Sequence, residues 1–159
     1  MLYGTTLIGR SGQVCTFDPY IISGCGTGFQ LTPPTVAGEA WTETVIYSFT
    51  GANSDGALPT AAVVVGKGAV LYGTTQYGGL PSTTCNSEAG AIGCGTVFAL
   101  TPPPTTGGVW TESVLHSFMG ENGEGANPET LTLSSTGVLY GPTGNGGSAG
   151  HGTIFTVTP

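Results

Sequence analysis

Apolar and polar residues alternate over short runs along this chain, and no segment carries a convincing 3.6-residue period. In Thr96 to Thr101 the two-residue period puts Thr96, Phe98 and Leu100 on one face of a strand, and Pro102-Pro103-Pro104 ends it because proline cannot donate to a ladder. Ala61 to Val65 is a β-branched run, Gly66-Lys67-Gly68 a tight turn, and Ala69 to Thr75 the returning strand, which predicts a hairpin. The longest predicted strand, Trp110 to Phe118, follows a Thr/Gly-rich loop. In the third stretch Thr130 to Leu133, the turn Ser134-Ser135-Thr136-Gly137 and Val138 to Thr143 read in the same way.

The pattern repeats as text. Leu-Tyr-Gly begins at Leu2, Leu71 and Leu139, a period of about 68 residues. Gly-Thr-x-Phe follows at Gly26, Gly95 and Gly152, and Trp-Thr-Glu at Trp41 and Trp110. The expected division is residues 1–60, 61–129 and 130–159, with the first and third repeats incomplete. The expected fold is all-β, a β-propeller-like tandem repeat of four-stranded antiparallel blades, about two and a half repeats in all. Met1 stands where the later copies have Val70 and Val138, so the chain reads as starting and stopping inside repeats. Propellers close with roughly four to eight blades, so further repeats or further chains are expected to complete the structure, as a ring or a filament.

Leu71-Tyr72-Gly73-Thr74-Thr75, Gly93-Cys94-Gly95-Thr96-Val97-Phe98-Ala99-Leu100-Thr101-Pro102 and the Tyr47-Ser48-Phe49 to Pro59 segment resemble the tandem GloVer (Gloeo/Verruco) repeats of bacterial extracellular proteins. The resemblance covers nearly the whole chain. It implies a propeller-like, secreted or surface-anchored repeat protein and brings no catalytic residues with it. The chain departs from that pattern in its longer loops, in Pro142 where a Thr is usual, and in a third copy without cysteines.

Charge narrows the partners. Arg10 and Lys67 are the only strong bases against nine carboxylates, a net charge of −7. Without clustered Lys and Arg, nucleic acid is not an expected partner, and no apolar run reaches membrane-spanning length. Cys15 with Cys25 and Cys85 with Cys94 fall at equivalent places, and pairing within each repeat is expected. A metal site competes for the same residues, but spacings of ten and nine lack the short Cys-x-x-Cys knuckle of zinc sites. Disulfides point to an extracellular or cell-surface location.

Candidate chemistry is sparse. Glu43 and Glu112 occupy matching sites a repeat apart, and glycosidase chemistry would need such a pair about 5–10 Å apart. The loops Gly51 to Gly56 and Gly120 to Gly125 offer oxygen ligands for calcium, but Asn, Asp and Gly are also what tight turns demand. Trp41 and Trp110 are candidate carbohydrate platforms, while Tyr3, Tyr72 and Tyr140 are expected to pack between blades. His151 stands where Cys25 and Cys94 stand, and His116 where Tyr47 stands. Ser48 and Ser117 lie outside any nucleophile elbow. The Thr/Pro clusters at Thr32 to Thr35 and Thr101 to Thr106 read as stiff linkers or O-glycosylation sites.

The expected function is a non-enzymatic, extracellular structural or adhesive β-repeat protein that assembles with further copies or repeats. No catalytic residue, metal or cofactor is assigned. The alternative is a carbohydrate-binding propeller module with a glycan partner at Trp41 and Trp110, and a propeller glycosidase or lyase comes third.

Overall fold

β-Branched and aromatic runs punctuated by Gly, Pro and Thr build an all-β chain of short antiparallel sheets. The computed structural model describes residues 1–159 except 10–13, 18–19, 53, 88–89 and 92. In order the strands are β1 (Leu2–Thr6), β2 (Val14–Phe17), β3 (Tyr20–Ser23), β4 (Thr27–Thr32), β5 (Thr42–Ser48), β6 (Gly56–Ala57) and β7 (Val64–Val65). Then come β8 (Leu71–Thr75), β9 (Tyr77–Gly78), β10 (Asn86–Ser87), β11 (Gly90–Ala91), β12 (Thr96–Thr101) and β13 (Thr111–Ser117). The last four are β14 (Gly125–Pro128), β15 (Thr132–Leu133), β16 (Leu139–Gly146) and β17 (Ile154–Val157).

Three sheets correspond to the three copies of the repeat. The first is β1-β4-β5, the second β7-β8-β12-β13 as a four-stranded meander, and the third places β16 between β15 and β17. The expected strand at Thr96 to Thr101 is found as such. The hairpin before it is smaller than expected, with only Val64 and Val65 pairing to β8. Its turn is a short 3₁₀ segment, Lys67–Ala69, closed by Gly66 N donating to Val70 O at 2.8 Å. Both cysteine loops, expected as plain connections, contain small hairpins, β2–β3 and β10–β11.

Adjacent sheets pack face to face. Between the first and second lie Phe49, Leu71, Phe98 and Leu100 with the Cys15–Cys25 pair; between the second and third lie Val97, Phe118, Leu131 and Leu139 with Cys94. Each sheet thus has a front, turned to the preceding sheet, and a back, turned to the next. The alternation along β12 makes the division plain: Phe98 and Leu100 point forward, Val97 points back. Edge-to-face ring pairs cross both junctions, Phe49 with Phe98 at 5.0 Å and Phe118 with Phe155 at 4.9 Å.

The Leu-Tyr-Gly signature is explained by these rings. Phe29, Phe98 and Phe155 each lie across the glycine of the neighbouring strand, so a Cβ on Gly4, Gly73 or Gly141 would come within 2.6, 2.4 or 2.7 Å of a ring carbon.

The long connections between sheets are not free loops. Gly56 and Ala57 pair with Gly78 and Tyr77, and β14 pairs with the far half of β16, so each connection laps onto the sheet that follows it. At the turning points stand Leu58 and Asn127, both left-handed at φ 56°. Leu58 N donates to Cys25 O of the sheet behind, while Leu58 O accepts from Gln76 N of the sheet ahead, at 2.8 and 3.0 Å. Asn127 N donates to Cys94 O in the same way, at 2.8 Å.

Candidate functional site

Polar chemistry gathers where the connections leave the outer strands. Both strands β5 and β13 end in an aromatic position followed by Ser-Phe, and eight residues after that position comes a carboxylate. In the first repeat these are Tyr47 and Asp55; in the second, His116 and Glu124.

Each carboxylate ties down its own loop. Asp55 Oδ2 accepts from Thr50 N and Thr50 Oγ1, both at 2.7 Å. Glu124 Oε2 accepts from Met119 N at 2.8 Å, and Glu124 Oε1 lies 2.7 Å from His116 Nε2. The loops turn through left-handed residues, Gly51 and Ser54 in one, Gly120, Asn122 and Gly123 in the other. Calcium coordination is thus not needed to account for these carboxylates; Asn53 of the first loop lies outside the described residues.

The second sheet adds a partner to the first of these clasps. Glu112 and Val114, on the front of β13, face Tyr47, Thr50 and Asp55 across a cleft of about 450 Å³. Burial, with the Asp55 charge adding to it, pushes the Glu112 carboxyl up to about 7. Burial comes first again for Tyr47, whose hydroxyl is held above the ordinary phenol range, with the charges of Asp55 and Glu112 reinforcing it. Asp55 Oδ1 and Glu112 Oε1 are both buried without a hydrogen-bond partner among the described residues. Two carboxyls meet here, one of them still partly protonated at neutral pH.

The structure therefore brings Glu112 to Asp55 and not to Glu43, which is exposed on the first sheet. The matching pair Glu43 and Glu112 belongs to two different faces, and repetition accounts for their likeness. At the second junction the cleft beside His116 and Glu124, about 380 Å³, is lined on its other side by Thr153 and β17.

The tryptophans part company. Trp110 packs its ring edge-to-face on Tyr3 of the first sheet at 5.8 Å, and also lines a groove of about 590 Å³ between that sheet and the Pro102 to Val109 loop. Trp41, its counterpart, is 49% exposed. Tyr3 and Tyr72 pack in the two junctions, while Tyr140 is 42% exposed. The cysteines form the expected pairs, Cys15–Cys25 and Cys85–Cys94, each with Cα atoms 5.3 Å apart. His151, at the corresponding place in the third repeat, is exposed, as are Thr35, Thr105 and Thr106 in the Thr/Pro loops.

The sequence matches Asp55 with Glu124 and Tyr47 with His116, but as two unrelated equivalences. The signal that joins them was present: the same spacing in both repeats, with Tyr and Asp exchanged together for His and Glu. Among the described residues no group of three or more His, Cys, Asp or Glu is placed to hold a metal ion. Comparison of the chain with family models, with curated proteins and with solved structures finds no match.

Proposed function

We propose that this chain is a non-enzymatic, extracellular structural or adhesive repeat protein whose sheets are propeller-like blades, and that it assembles with further copies or repeats into a ring or a filament. The observation that carries the reading is the front of the first sheet. Leu2, Trp41 and Val45 are 57, 49 and 51% exposed there, whereas Leu71, their second-repeat neighbour on the same face, is 1% exposed against the first sheet. The back of the third sheet is bare in the same way, with Ile154 75% exposed where Val97 is fully buried. A surface that the chain buries at each of its own junctions is thus presented twice more, once at each end of the stack. Stacking front on back between chains would cover both, and such heterologous contacts propagate as rings or filaments.

Two disulfides, and the lack of any helix long and apolar enough to cross a membrane among the described residues, are compatible with the extracellular location. The GloVer resemblance fits the same reading. Light scattering with negative-stain microscopy tests it: particles of several chains, as rings or filaments, are expected, and a stable monomer at high concentration overturns it.

The second reading is carbohydrate binding, favoured by the groove in which Trp110 and the proline-rich loop face each other. Glycan-array binding that is lost in Trp110→Ala would establish it.

A further inference from the structure

The two disulfides occupy equivalent places in their repeats but are not equally covered. At the first bridge Cys15 is 5% exposed and Cys25 is fully buried, and a Cβ on Gly51 of the connection would lie 3.4 and 3.9 Å from their Sγ atoms. Thr50 O lies 4.0 and 3.2 Å from the same two atoms. At the second bridge Cys94 is fully buried, whereas Cys85 is partly exposed. A Cβ on Gly120, the counterpart of Gly51, would meet Cys94 Sγ at 3.1 Å, and its next neighbours are Thr84 Cγ2 and Ala126 Cβ. The connection roofs both sulfurs of one bridge and only the inner sulfur of the other.

The two ends of the second bridge belong to different parts of the weave. Cys94 N donates to Phe118 O at 3.3 Å and Cys94 O accepts from Asn127 N at 2.8 Å, so this end is fixed in its own sheet and to the connection. Cys85 ends a short arm, Ser82 to Thr84, that reaches the same connection from the other side. Ser82 Oγ, buried, donates to Met119 O at 2.5 Å, and the hydroxyls of Thr83 and Thr84 donate to Glu121 Oε1 at 3.1 and 3.5 Å. Glu124 closes that loop through Met119 N and His116 Nε2. The disulfide is the covalent stay that holds the arm, and the arm holds the loop.

We propose that Cys85–Cys94 is a reducible latch on the Met119 to Glu124 loop, while Cys15–Cys25 is a permanent brace. Its co-reactant is a dithiol, free or carried on a protein. One thiolate of the dithiol attacks Cys85 Sγ, the sulfur within reach, and the bond between the two cysteines breaks. Cys94 leaves with the electron pair and takes up a proton, because its surroundings of Val97, Phe118 and Ala126 are apolar and disfavour a thiolate. The second thiolate of the dithiol then attacks its partner sulfur in the mixed disulfide, closing the dithiol's own disulfide and releasing Cys85, which is protonated in turn. Two electrons pass from the dithiol to the bridge. At the first bridge the same attack has to wait for the connection to lift.

The test uses the unmodified full chain under native conditions, exposed to graded dithiothreitol, quenched with acid at timed intervals and labelled at its free thiols in denaturant. Peptide masses then report each cysteine. Cys85 and Cys94 are expected to open together, about tenfold or more faster than Cys15 and Cys25. Equal rates, earlier opening of Cys15–Cys25, or no opening short of unfolding overturns the assignment. Amide exchange is read at the exposure that opens the second bridge alone. It should quicken at residues 119–124 and stay slow in β8 and β12. Unchanged exchange in that loop shows a bridge that opens without releasing anything, and overturns the latch.

Discussion

At the scale of single residues, the first junction depends on a carboxyl that prefers its proton. The Glu112 carboxyl is raised to about 7 in the folded chain, first by burial and then by Asp55, while in the unfolded chain it ionises in the ordinary range near 4.5. Between those two values the folded state binds more protons than the unfolded one, so stability falls as pH rises and the loss is complete above the folded value. Because the side chain is only partly buried, the effect is smaller than the full shift implies. Glu112→Gln should therefore flatten the melting temperature between pH 5 and pH 8. At pH 8 it should raise it by about 2–4 °C per kcal/mol regained. A melting curve for this variant that keeps the wild-type pH slope would place the burden elsewhere. The reason this contact was illegible in the sequence is instructive. The sequence sets Glu112 against its twin Glu43, but the charge that acts on it, Asp55, stands in the previous repeat's loop, and only the stacking of sheets brings the two together.

At the scale of elements, strands with a full two-residue period were legible almost to the residue, as Thr96 to Thr101 and Trp110 to Phe118 show. The short ones were not. Ala61 to Val65 looks like a strand because three of its residues are β-branched valines, yet only Val64 and Val65 find a partner. Propensity alone cannot say where a ladder has a neighbour. The cysteine loops misled in the opposite sense: β10 and β11 are two residues each and too short to announce themselves, while the β-prone runs Val14–Phe17 and Tyr20–Ser23 lie inside a loop closed by Cys15 and Cys25 and read as part of it.

Each disulfide lies beneath the connection that follows. A Cβ on Gly51 would sit 3.4 Å from Cys15 Sγ, and one on Gly120 would sit 3.1 Å from Cys94 Sγ. Replacing Cys85 and Cys94 together by serine should cost about 2–3 kcal/mol on the chain-entropy account, seen as a lower urea midpoint. Amide exchange should quicken in the Gly120 to Gly125 loop, while the pairing of β8 with β12 stays protected. Loss confined to residues 85–94 would show that the bridge braces only its own hairpin.

At the scale of the molecule, the text of the repeat predicts about two and a half like units; the three larger sheets recur with that text, and three two-stranded sheets lie between and beside them. What the text of the repeat could not convey was their faces. Leu2 and Leu71 are the same letter at the same place, one bare and the other buried, because burial belongs to the neighbour and not to the strand. Val45→Lys, on the exposed front of the first sheet, should leave the melting temperature within about 2 °C of wild type, since surface changes usually stay within about 0.5 kcal/mol. The proposed assembly further requires that this variant scatter light as single chains where the wild type scatters as a larger particle.

Leu58 and Asn127 give these three sheets a mechanical character. Each is a single residue that bonds backward to one sheet while its connection is woven into the next. A chain joined in this manner is sewn rather than strung. Tension applied along it would not open one sheet while its neighbours rest intact; it would load a stitch shared by two of them. The force at which the first stitch gives should therefore mark the yielding of a pair, and a fibre made of such units would stretch little before it tears.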